Sequence, residues 1–286
     1  MSTIETPPAM TTDGASRLAA HAASFGYDAR VISDGITVEI PDDSFTVIIG
    51  PNACGKSTLL RGLSRLLKPN SGSVTLDGRS IQQYPAKEVA RRLGLLPQSS
   101  VAPAGIRVAD LVARGRFPHQ KLIKQWTDAD AAAVADAMHR TGVTELSGRL
   151  VDELSGGQRQ RVWVAMALAQ ETELLLLDEP TTYLDITHQI DLLDLCSELH
   201  ESGRTLVAVL HDLNQAARYA THVIAMRDGA IVAEGAPHDI FTPELMREVF
   251  GLECIVVPDP VTGTPQVVPL GRRAARTIRE DHHAAH

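Results

Sequence analysis

From residue 18 onward, unbroken or alternating apolar runs are separated by stretches in which apolar residues recur every three or four positions. Those two spacings mark strands and helices. Residues 18–24 and 31–40 read as strands, divided by a turn at Gly26-Tyr27-Asp28 and closed by Pro41-Asp42-Asp43. SFTVII, residues 44–49, suits a buried strand, and Leu59, Leu60, Leu63, Leu66 and Leu67 line one face of the helix that follows. SGSVTLDG and RRLGLLPQ supply two more short strands, the second ending at Gln98.

The pattern then turns helical. Residues 108–114 and 128–141 are helices, the second opened by a capping box from Thr127 to Asp130. They form a helical insertion from Ser99 to about Leu154, or to about 165 with the helix that LSGGQ (154–158) opens, whose buried side carries Val162, Ala165, Met166 and Ala169. The Ala-rich stretch AAAVADAM reads as core packing and the basic stretch ARGRFPHQK as a solvated loop. The run at 174–177 has no polar residue, as expected of a strand covered on both faces. A helix at 186–200 and a strand at 205–210 complete an alternation best built as parallel β-α units with right-handed crossovers. Residues 223–270 read as short strands with turns at Asp228-Gly229 and Thr262-Gly263, and one helix around 243–250.

Composition narrows the class. A chain of 286 residues, 44% hydrophobic and 22% charged, can fill one large core or a core with an inserted subdomain. A net charge of −8 argues against a general nucleic-acid binder. No apolar run approaches the roughly 18 residues needed to span a bilayer, and the first residues lack the basic and apolar parts of a signal peptide, so a cytoplasmic protein is expected. Cys54, Cys196 and Cys254 are too few and scattered for a disulfide framework or zinc cluster. Residues 1–16 and 271–286 are expected to be a disordered and a mobile tail around a unit at 17–270. The histidines of the second tail suit a solvated segment better than a metal site.

Chemistry concentrates in GPNACGKST, residues 50–58, which fits the phosphate-binding pattern G-x-x-x-x-G-K-[ST]. Its glycines let successive N–H groups point into one concavity, next to the N-terminus of the following helix. Lys56 reaches the β- and γ-phosphates and Ser57 offers a hydroxyl to Mg²⁺. Cys54 is a small filler of that loop or, beside a helix N-terminus, a reactive thiol. LSGGQ places two glycines at another helix start, a second anion site. Asp178 and Glu179 end a central strand, where α/β folds gather their chemistry. Tyr27 is either a packed edge residue or an adenine platform.

In their order and spacing, GPNACGKST, Gln98, LSGGQRQR, LLLLDEP, TYLD and VLHD resemble the nucleotide-binding subunit of an ABC transporter, over about residues 18–270. VARGRFPH, EPTTYLDITHQIDLLDL and the stretch from HDLNQ onward are most similar to ATPases of bacterial iron-siderophore importers, with cobalamin and haem importers close by. The resemblance implies an α/β fold: a phosphate-loop (RecA-like) core sheet with an inserted α-helical subdomain and an antiparallel β subdomain. It implies that Tyr27 stacks on adenine and that Gly50, Pro51, Asn52, Ala53, Cys54, Gly55, Lys56, Ser57 and Thr58 cradle the phosphates of ATP. By the same resemblance Ser57, Gln98 and Asp178 organise Mg²⁺, Glu179 is the general base and His211 contacts the γ-phosphate. The resemblance also implies that Ser155, Gly156, Gly157 and Gln158 face ATP held by a second ATP-binding subunit, an identical copy, with Asp185 at the interface between them. Implied partners are transmembrane permease subunits and, indirectly, an extracytoplasmic substrate-binding protein, at the cytoplasmic face of the membrane. The alternatives are an ABC ATPase for another cargo or a soluble one of iron–sulfur assembly. A DNA-maintenance member is disfavoured, because only short segments separate Thr58 from Leu154, with no long coiled coil.

Overall fold

A computed structural model describes residues 16–28, 30–98, 101–120 and 126–271. The expectations for the two tails therefore lie, but for Ser16 and Gly271, outside the described residues. In chain order the strands and helices are β1 (Leu18–Tyr27), β2 (Arg30–Ile40), β3 (Phe45–Ile49), α1 (Lys56–Leu63), β4 (Ser71–Leu76), β5 (Arg79–Ser80), α2 (Ala86–Arg92) and β6 (Leu93–Leu96). The inserted helices α3 (Val108–Ala113) and α4 (Asp128–Arg140) follow, then α5 (Gly156–Leu168), β7 (Leu174–Asp178), α6 (Ile186–Glu201), β8 (Thr205–Val209) and α7 (Leu213–Tyr219). The chain ends in β9 (His222–Arg227), β10 (Ala230–Gly235), α8 (Pro237–Ile240), α9 (Pro243–Phe250), β11 (Cys254–Pro258) and β12 (Pro265–Pro269).

A six-stranded sheet in the order β10-β9-β3-β8-β7-β6 forms the centre, parallel except for β10. Its inner strands β3, β7 and β8 are buried on both faces, which is why β7 and β8 read as continuous apolar runs. The period of two divides the side chains. Val47, Ile49, Leu175, Leu177, Leu206 and Ala208 face the core built with α3 to α6. Ile48, Leu174, Leu176, Val207 and Val209 face α1 and the antiparallel sheet β2-β1-β4-β5. The parallel core, helical insertion and antiparallel sheet match the expected architecture, with a β11-β12 hairpin beyond it.

Four local expectations need correction. Helix α1 stops at Leu63, and Arg65 takes a left-handed φ of 66°, so Leu66 is 63% exposed instead of continuing the apolar face. The two arginines placed at the start of the strand before Gln98 end α2 instead. Between His211-Asp212 and residue 223 the chain forms helix α7, an element absent from the expected order. The basic stretch around residue 116 is not simply solvated. Arg116 is buried, with Nε 2.8 Å from Asp130 and Nη1 2.6 Å from Glu171, and it donates to the Ala169 carbonyl at 2.8 Å. That guanidinium ties the start of α4 to the loop between α5 and β7.

Candidate active site

The loop between β3 and α1 needs its first glycine for steric reasons. Gly50 has φ 154°, and a Cβ there would lie 2.3 Å from the Met226 carbonyl oxygen and 2.7 Å from the Cys54 Sγ. Gly55 caps α1 in a left-handed conformation with no side-chain cap, leaving the first N–H groups of the helix available to an anion. Lys56 folds over the loop and donates Nζ to the carbonyls of Gly50 and Pro51, 2.8 Å each. Cys54 is buried, and that burial pushes its thiol above the usual range.

Two strand ends bring the acid–base groups to this loop. At the end of β7, Asp178 is 1% exposed and accepts a 2.8 Å hydrogen bond from Ser57 Oγ. Burial is the largest influence on its carboxyl and holds it above the usual carboxylate range, against the pull of the Ser57 hydrogen bond. Asp178 Oδ2 is buried without a hydrogen-bond partner. A buried carboxylate oxygen lacking a donor, beside a serine hydroxyl at a phosphate loop, fits a hard divalent cation. Glu179 follows with a left-handed φ of 53°, which turns its carboxylate out of the strand direction. Its Oε1 lies 2.8 Å from His211 Nε2, supplied by the segment after β8, and its Oε2 accepts from Thr182 Oγ1 at 3.4 Å. Asp212, beside His211, caps α7 by accepting from the N–H groups of Asn214 and Gln215.

These groups open on one cavity of about 840 Å³, lined by Asn52 to Thr58, Gln98, Glu179 and His211. The structure thus gathers most of the expected nucleotide residues from four separate parts of the chain. Three sequence-predicted groups lie elsewhere. Tyr27 is 42% exposed at the end of β1 and accepts from Arg61 through its hydroxyl at 3.1 Å, outside the cavity lining. Ser155 and Gln158 form a capping box that opens α5, and Gly156 and Gly157 lie in its first turn. Gly156 borders a separate cavity of about 360 Å³ together with Gln98 and Tyr183. Asp185 is exposed and caps α6 by accepting from the His188 N–H at 3.0 Å. Conversely, Arg30, Ile32 and Thr182 line the nucleotide cavity without having been singled out in the sequence. The available signal was the alternation of β2, which puts residues 30 and 32 on one face.

The chain belongs to the ABC transporter family, whose model matches residues 33–182, and it is an ATP-binding, ATP-hydrolysing domain of that family. It is 59% identical over 267 residues to the ferric enterobactin transport ATP-binding protein FepC of Escherichia coli (strain K12), covering 93% of this chain and 98% of that one. It is 52% identical over 260 residues to the probable siderophore transport system ATP-binding protein YusV of Bacillus subtilis (strain 168), covering 91% and 94%. Among solved structures, a chain of an ABC transporter in an inward-facing conformation superposes with a TM-score of 0.76 at 27% identity, covering 90% of this chain and 98% of that one.

Proposed function

We propose that this chain is the ATPase that powers import of a ferric-siderophore complex through a membrane permease, acting in pairs at the cytoplasmic face of the membrane. The observation that carries the hydrolytic part is the Glu179–His211 pair, 2.8 Å apart over the cavity that also holds the phosphate loop. Glu179 accepts the proton of the attacking water, and His211 orients that carboxylate and reaches the γ-phosphate. Lys56 exchanges its two loop carbonyls for β- and γ-phosphate oxygens, a stronger, charge-assisted pairing. Ser57, Asp178 and Gln98 would hold Mg²⁺, which would supply neutralisation of phosphate charge there. Tyr27 is the platform for adenine at the outer end of the site, and Asp185 lies where the two ATPases meet.

Ser155 to Gln158 lie outside the cavity that holds the phosphate loop, so on this reading they complete the site of the second copy. The cargo assignment is supported by the 59% identity to FepC over nearly the whole of both chains. The permease, and through it a substrate-binding protein outside the membrane, are the partners this role requires.

Glu179→Gln should keep ATP affinity within about threefold while lowering kcat by at least ~10², the usual scale for a lost general base. Turnover near the wild-type rate would refute the base assignment. For the cargo, deletion of the reading frame should abolish uptake of iron-55 supplied as a siderophore complex, with recovery from the wild-type gene and none from Glu179→Gln. Undiminished uptake of every ferric siderophore offered would refute that assignment.

A further inference from the structure

The nucleotide cavity has an unassigned cation. Strand β2 begins at Arg30, and its alternation sends Arg30 and Ile32 to the face that lines the cavity. Ile32 fixes where that face lies: a Cβ on Gly55 would come within 3.5 Å of Ile32 Cγ2, so Ile32 sits against the N-terminus of α1. Arg30 is one strand repeat, roughly 6.6 Å, farther out. It pairs across the hairpin with Tyr27, whose hydroxyl takes a hydrogen bond from Arg61 on α1. This end of the hairpin therefore lies along the flank of α1, where Thr58 lines the cavity. The Glu179–His211 pair comes instead from the ends of the central strands.

The charge balance around the cavity points the same way. Arg30 is exposed, and among the described residues its guanidinium has no ion-pair partner. Lys56, the lysine of the lining, lies on the Gly50–Pro51 side of the loop. A nucleoside triphosphate brings a second anionic region, the α-phosphate next to the sugar, that Lys56 does not reach when it serves the β- and γ-phosphates. A guanidinium offers a fork of N–H donors suited to two phosphate oxygens.

We propose that Arg30 is a nucleotide-positioning residue that pairs with the α-phosphate, holding the sugar end of ATP against β2 while the phosphate loop holds the other end. The proposal rests on the ATPase reading above. The contact is equally available in ATP and ADP, so Arg30 strengthens binding of both without favouring the transition state.

The test is a titration of the purified full chain with fluorescently labelled ATP and ADP, run at about 50 mM and 500 mM salt, alongside steady-state hydrolysis. Arg30→Ala should weaken ATP and ADP to the same extent, about five- to tenfold at low salt, with the loss shrinking at high salt as the exposed pair is screened. KM should rise by a similar factor while kcat stays within about twofold, and Arg30→Lys should recover most of the loss. Unchanged affinity for both nucleotides would overturn the proposal, as would a loss that is insensitive to salt and not recovered by lysine. If the wild-type chain itself binds neither nucleotide, it is the ATPase reading that fails.

Discussion

The thiol of Cys54 sits inside the phosphate loop, 4% exposed, next to the backbone of Gly50. Two effects compete there. The helix N-terminus and Lys56 favour a thiolate, whereas burial disfavours it, and burial is the larger influence. Cys196 is more extreme, its thiol pushed up to about 12 by burial alone. Iodoacetamide at pH 8 should therefore alkylate the native chain at least ~10²-fold more slowly than the unfolded chain, with bound ATP making little difference. Rapid native labelling of Cys54, followed by mass spectrometry of the loop peptide, would contradict this. The sequence left filler and reactive thiol side by side, because the motif shows the helix dipole but not how deeply the loop is covered by Met226 and its neighbours. Arg30 was illegible for a related reason. Nothing in a strand's alternation says which face meets a ligand until the hairpin has been laid beside the phosphate loop.

Among the elements, the period of the apolar residues predicted where helices run better than where they end. Leu59, Leu60 and Leu63 are fully buried under the antiparallel sheet, but Ser64 and the left-handed Arg65 stop α1 one turn before Leu66. Leu63→Ala should cost about 2–5 kcal/mol in urea unfolding, and Leu66→Ala less than about 0.5 kcal/mol. Comparable losses would mean that the helix continues. The capping box at Thr127 was legible because its partners lie three residues apart. The second role of Asp130 was not, since its arginine comes from the preceding 3₁₀ turn. Arg116, and after it the Thr127 hydroxyl, hold the Asp130 carboxyl below its usual value. A carboxylate depressed in the folded state contributes stability that is complete above its unfolded pKa and disappears as pH falls through the folded one. Melting curves of the wild type should accordingly fall below about pH 4, the unfolded carboxylate range. Asp130→Asn should be destabilised at pH 7 by about 1–3 kcal/mol, the scale of one charged hydrogen bond lost from a guanidinium that keeps Glu171 and the Ala169 carbonyl. Its melting temperature should then drop less than that of the wild type between pH 5 and pH 3. Parallel acid limbs would remove Asp130 from the account.

At the scale of the whole molecule, the phosphate loop and the start of α5 border different cavities of one chain, with Gln98 lining both. The phosphate loop, Glu179 and His211 share one cavity, while Gly156 borders another and is exposed at the start of α5. Both surfaces were readable from motifs, since each is a run of local sequence: Gly50 and Gly55 take positive φ in the phosphate loop, and the Ser155–Gln158 capping box opens α5. Their separation within one chain was not readable, because it depends on how the helical insertion is seated against the sheet. That separation yields a sharp test of the paired arrangement. Gly156→Asp places a carboxylate at a helix N-terminus, where it favours the helix, at a position where a Cβ meets only ordinary contact with Tyr183 at 3.4 Å. The fold and ATP binding at the chain's own loop should survive, with the melting temperature within a few degrees of the wild type. Hydrolysis should nevertheless fall at least ~10²-fold, because two added carboxylates would face the triphosphates held across a two-fold interface. Co-expressed with Lys56→Ala and purified through two different tags, this variant should regain up to about half the wild-type rate. In such a pair one loop and one α5 terminus are both intact on opposite chains. If each chain instead closed its own site, Gly156→Asp alone would hydrolyse ATP normally, since the substituted residue lies outside the cavity where the chemistry occurs.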